Sequence, residues 1–189
     1  MFLWLKTGFE HITDLQGYDH ILFIMALCGV YALNEWKKVL ILVTAFTIGH
    51  SISLFLSVYN IVRVDAAWIE FLIPLSILCT TIYNLATGES ENKSMKLPYS
   101  FALFFGLIHG LGFSNYLRAL LGSEESIFIP LLNFNIGLEI GQLVVVLFVF
   151  LLHYIFDKFF KVSPKNWRFF LSSAVFGIAL VMTLERIPF

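Results

Sequence analysis

Five stretches of this chain run for about 20 residues or more with few charges, at 36–59, 66–85, 99–121, 127–156 and 167–184. About 20 apolar residues in a helix cross the hydrocarbon of a bilayer. The polar breaks between these stretches are short. Such a chain cannot hide its surplus in a soluble core: 59% of its residues are hydrophobic and 13% charged, against about 45–50% and about 25% in soluble domains. A small globule also has too much surface for that excess. Mean hydropathy is +0.85. The predicted fold class is therefore all-α, a polytopic transmembrane helical bundle in one domain over 1–189, with the lipid bilayer as its main partner. The net charge of −1 gives no reason to expect a nucleic-acid partner.

A sixth span is predicted over 17–33, although its purely apolar part is short and Asp19 and His20 stand at its start. A re-entrant segment is the alternative. Upstream, Phe2, Leu5, Phe9 and Ile12 recur at helical spacing, so 1–16 is predicted to be an amphipathic helix on the membrane surface. These first residues lack the sustained apolar run of a cleavable leader, which leaves targeting to the first span. Cys28 and Cys79 sit in apolar runs without CxxC spacing and read as packing residues.

Lys and Arg set the orientation. One side carries Lys37, Lys38, Lys93, Lys96, Lys158, Lys161, Lys165 and Arg168; the other carries Lys6, Arg63, Arg118 and Arg186. The richer side is expected to be cytoplasmic, with both termini outside.

Ionisable residues in spans are costly, at least about 2.5–3.5 kcal/mol each at the centre, and mark function unless they are paired. His50 lies in a span with Thr47 and Ser51 on its face. His109 lies in another, between Gly106 and Gly110. Asn135, Glu139 and Gln142 share one face of a third. With Asp19 and His20, these residues fall in the outer half of the predicted bundle; His50, His109 and Glu139 are roughly 14–18 Å below the outer ends at ~1.5 Å per residue. This predicts a cavity open to the outside. Imidazole with carboxylate suits a divalent Ni, Zn, Co or Fe ion. The missing thiolates and scattered Met disfavour Cu(I).

The expected metal ligands are thus Asp19, His20, His50, His109 and Glu139. Thr47, Ser51, Asn135 and Gln142 would steady the ligands by hydrogen bonds. His11 is open between a capture ligand and an exposed group, and Glu70 between site and interhelical bond. The Gly106/Gly110 and Gly137/Gly141 pairs are expected to pack their two helices on each other. His153 is expected at the cytoplasmic interface.

The segments Gly17-Tyr-Asp-His-Ile-Leu-Phe23, Thr44-Ala-Phe-Thr-Ile-Gly-His-Ser51, Phe105-Gly-Leu-Ile-His-Gly-Leu-Gly-Phe113 and Phe134-Asn-Ile-Gly-Leu-Glu-Ile-Gly-Gln142 resemble the HupE/UreJ family, its second branch above all. The resemblance implies a bacterial inner-membrane protein tied to hydrogenase or urease maturation, and a nickel permease. It implies metal handling at the same five positions. One departure is clear: the family motif places a His five residues before its Asp-His pair, whereas seven residues separate His11 from Asp19.

Three functions compete. The first is a divalent-metal permease with no ATPase of its own, since no Walker A pattern occurs. Its inner half shows no comparable polar path, so helix movements, a homo-oligomer or a partner membrane protein would have to complete it. The second is an intramembrane metal-dependent hydrolase with Glu139 as general base. The third is a scaffold with a structural metal.

Overall fold

The computed structural model describes residues 2–87, 95–121 and 127–188; Lys93 lies outside them, as does the side chain of Arg118. Every regular element among these residues is helical: α1 Phe2–Thr13, α2 Asp19–Cys28, α3 Trp36–Val58, α4 Ala66–Ala86, α5 Lys96–Leu121, α6 Phe128–Phe160 and α7 Pro164–Glu185, with one 3-10 turn at Leu33–Glu35. Their ends follow local chemistry. The Asp65 carboxylate accepts from the Ala67 N–H at 2.9 Å and opens α4. Ser163 caps α7 just before Pro164. Lys161, at φ 53°, turns the chain out of α6.

Among the described residues, four stretches are long and apolar enough to cross a membrane: Leu33–Val58, Ala66–Ala86, Phe128–Phe160 and Pro164–Glu185. Helices of this length and composition are those of a multi-pass membrane protein. α5 is 26 residues long. The first span departs from expectation. Its helix α2 has only ten residues, about 15 Å at the usual rise, half of a bilayer core. After it the chain turns at Gly29 and reaches the 3-10 turn.

α1 does form where an amphipathic helix was expected, but its apolar face is not laid on a flat surface. Trp4, Gly8 and Ile12 are buried against α6. A side-chain carbon at Gly8 would strike the Phe134 carbonyl, and one at Gly137 the Leu5 carbonyl. Gly141 sits against Ile12. The matched numbering means that α1 and α6 run in the same direction. α3 and α5 do likewise, locked through Gly49, Gly106 and Gly110. The two glycine pairs were expected to join α5 to α6. Instead Gly106 and Gly110 seat α5 on α3, and Gly137 and Gly141 seat α6 on α1. A small-residue pair creates a groove, and any helix with a facing glycine can fill it.

α2 packs among α4, α6 and α7. A ten-residue helix leaves its last carbonyls without helical partners, and Asn84 of α4 donates to one of them, Ala26 O, at 2.7 Å. The His153 side chain is buried. It stacks on Trp167 with ring centroids 4.9 Å apart and planes 5° apart, joining α6 to α7. Changing His153 to Ala is expected to cost about 1 kcal/mol or more of stability and to leave metal binding unchanged. Thermal melts with and without metal check this; a lost metal response would contradict it.

Candidate metal centre

Four histidines from four helices converge: His11 near the end of α1, His20 at the start of α2, His50 in α3 and His109 in α5. One ring nitrogen from each of His11, His20 and His50 lies within 4.8 Å of the others. The His109 ring stands beside them, 5.0 Å from that of His20. A tetrahedral ion with bonds of ~2.0–2.1 Å holds its ligand atoms about 3.3 Å apart.

The chain break between α1 and α2 makes this possible. The 14–18 turn carries the chain from His11 back to His20, so their rings sit 4.5 Å apart. The glycine contacts of α3 with α5 do the same for His50 and His109. Gly110 lies against the His50 carbonyl and Gly106 beside the His50 N–H, and any larger residue there would push the two histidine-bearing helices apart.

Imidazoles that serve as interhelical glue are hydrogen-bonded, and most of the ring nitrogens here are not. Both ring nitrogens of His50 are buried without a partner, as are Nε2 of His11, His20 and His109. Each such group costs about 1–3 kcal/mol. The remaining nitrogens are held in ways that aim the free ones. His109 Nδ1 lies 2.8 Å from Phe105 O; only Nδ1–H can donate to a carbonyl, so Nε2 keeps its lone pair. His20 Nδ1 lies 3.0 Å from Asp19 Oδ1, an electrostatic contact that is not aligned as a hydrogen bond. The same oxygen accepts the His20 backbone N–H at 2.9 Å. Asp19 is therefore placed to orient His20.

Aromatic rings enclose the group. Phe113 stands 3.9 Å from His11, Phe46 5.1 Å from His109 and Phe23 5.6 Å from it. Phe134 stacks on His50. A low-dielectric wall of this kind strengthens charge–ligand interactions inside it. Residue reasoning did not single out these four phenylalanines, yet each lies within one of the four quoted motifs.

The other expected site residues lie elsewhere. Glu139 is half-buried and accepts from Thr44 Oγ1 at 2.7 Å, outside the imidazole group. Thr47 Oγ1 donates to Gln142 Oε1 at 2.8 Å, and Ser51 Oγ to Thr47 O at 2.7 Å. These residues form a polar seam between α3 and α6. Asn135 Oδ1 is buried without a partner. Glu70 is exposed on α4. His11, left open by the sequence, stands in the group itself.

A family model described as HupE / UreJ protein matches residues 1–186. No curated protein and no solved structure gives a significant match. With the family's motifs now supplying three of the four converging histidines, and the match running over nearly the whole chain, the protein belongs to the HupE/UreJ family.

Proposed function

We propose that this chain is a permease for a divalent transition-metal ion, nickel or a close relative, which binds in passing at His11, His20 and His50 with His109 beside them. The observation that carries this reading is the convergence of three imidazoles, those of His20 and His50 buried and that of His11 partly so, whose ligand atoms lie within 4.8 Å of one another and lack partners. The family is associated with nickel and metal transport. In this reading α1 and α2 act together as one discontinuous crossing, which gives six crossings with both termini outside. Broken helices of this kind place polar groups at mid-membrane, where a cargo ion must exchange water for ligands. Asp19 steadies His20. Neutral nitrogen donors suit a borderline ion such as Ni²⁺, Co²⁺ or Zn²⁺ better than Mg²⁺ or Ca²⁺.

The hydrolase alternative needs a carboxylate beside the ion as general base. The bond of Glu139 to Thr44 speaks against it in that role.

The test is uptake of Ni²⁺, Co²⁺ and Zn²⁺ into vesicles containing the purified protein, beside the His20→Ala variant. Uptake of at least one ion, lost in the variant, is the expected result. Tight stoichiometric metal with no flux in the wild type would exclude a permease and favour a structural or catalytic ion.

A further inference from the structure

Three of the converging histidines each have a phenylalanine one helical turn away. Phe23 follows His20 by three residues, and Phe46 and Phe105 precede His50 and His109 by four, spacings that share a helix face. Because α2 runs against α3 and α5, all three rings fall on one level, inward of the imidazoles in the proposed topology. They meet there. The Phe23 ring stands 5.0 Å from that of Phe46 and 5.9 Å from that of Phe105, and all three are buried. The His109 ring rests on this layer, 5.1 Å from Phe46 and 5.6 Å from Phe23. One turn further inward the same helices present Leu27, Leu42 and Phe101, four residues beyond the three rings, to a cavity of about 30 Å³. That is room for about two waters. Tyr31, Thr80 and Asn84 supply polar groups to its wall. Thr80 and Asn84 are both buried, one turn apart in the last part of α4. The inner half of the bundle, apolar by sequence, thus holds a pocket suited to water.

We propose that Phe23, Phe46 and Phe105 are the inner gate of the transport path, closed in this structure, and that the cavity beyond them is where the ion regains water. This rests on the permease reading. A charge is prohibitively costly in hydrocarbon without partners, and hydrophobic constrictions gate by excluding water. An ion on the imidazoles therefore moves inward only when the rings part. The packing allows that. Glycines lock α3 and α5 to each other, whereas α2 contains no glycine and meets both through side chains, so the layer can open between α2 and that pair.

The experiment measures uptake at saturating Ni²⁺ in proteoliposomes of wild type, Phe105→Ala, Phe105→Leu and Thr80→Val, with bound Ni²⁺ per chain and a melting curve for each. The Phe105 carbonyl beside His109 Nδ1 is backbone and survives both exchanges. Phe105→Ala is expected to take up Ni²⁺ on the order of 10-fold faster, as a lowered barrier does, and Phe105→Leu about 2-fold faster. Phe105→Leu carries the test alone if the Ala variant does not fold. Thr80→Val is expected to be about 3- to 10-fold slower, since a hydroxyl that receives the ion's water is lost. Bound Ni²⁺ stays unchanged throughout. A loosened fold would move all the rates in one direction, so the opposite signs belong to a gate and its exit. Equal rates in every protein overturn the gate and leave the permease standing. Slower uptake in the Phe105 variants, or lost Ni²⁺ stoichiometry in them, makes the ring a support for the imidazoles and also overturns it. A wild type without Ni²⁺ flux overturns the permease reading and this proposal with it.

Discussion

Changing His50 to Leu is expected to make the metal-free protein more stable while abolishing its tight metal binding. The sign follows from the surroundings of the ring. His50 is fully buried, between the Phe46 and Phe134 rings, and neither nitrogen has a partner. Leu nearly matches its volume and carries no polar atom. Each unsatisfied nitrogen costs about 1–3 kcal/mol, so removing both should raise Tm by at least about 4 °C, at about 2–4 °C per kcal/mol for a chain of this length. Metal binding should fall on the order of 100-fold or more, since even partners one shell farther out are worth 10–100-fold. Wild type with metal at about 100 times Kd gains about 2.7 kcal/mol, and the variant should show no such shift. Melting curves with and without Ni²⁺ read both effects. A variant that melts lower and still responds to metal would mean that His50 is a packing residue.

The opposite signs matter because they separate a ligand from a structural histidine. His153 has a stacking partner and should weaken the fold when removed. His50 weakens the fold by being present. A group that costs stability yet stands in a packed core marks a place where local folding rules yield to function.

The sequence showed this contrast only in part. Apolar length and the cost of intramembrane charge made the bundle, His20, His50 and His109 legible. Helical periodicity then grouped Glu139 with them, because Asn135, Glu139 and Gln142 do share a face. Periodicity identifies a face and not what the face meets. Here it meets Thr44 and Thr47 of α3. His11 was obscured for a different reason. His11 and His20 are nine positions apart, which in one unbroken helix would put them on opposite faces, but the chain leaves helical geometry after Thr13 and re-enters it at Asp19. Only the turn in between shows that the two histidines face each other. The glycine pairs were legible as close-packing sites, but their partners, α1 and α3, were not, since any helix can fill such a groove.

That docking of α1 leads to a second strong expectation: changing Gly137 to Val should detach His11 without touching it. A side-chain carbon at Gly137 meets the Leu5 carbonyl and approaches the Phe9 N–H. Both are backbone, which cannot swing aside as a flexible side chain can. The cheapest relief is for α1 to lift off α6. His20 and His50 belong to other helices and stay together. Metal affinity should then fall about 10- to 100-fold, to the level of a His11→Ala variant, and the N-terminal helix should become open to protease. Combining the two changes should bring little further loss, because both remove one ligand by different routes. Gly177→Val makes the same exchange in α7, where nothing lies within 4 Å, and should leave affinity intact. If Gly137→Val and His11→Ala instead add in full, α1 keeps His11 in place after the insertion. The fit of α1 into the α6 groove would then not be what delivers the third imidazole to the ion.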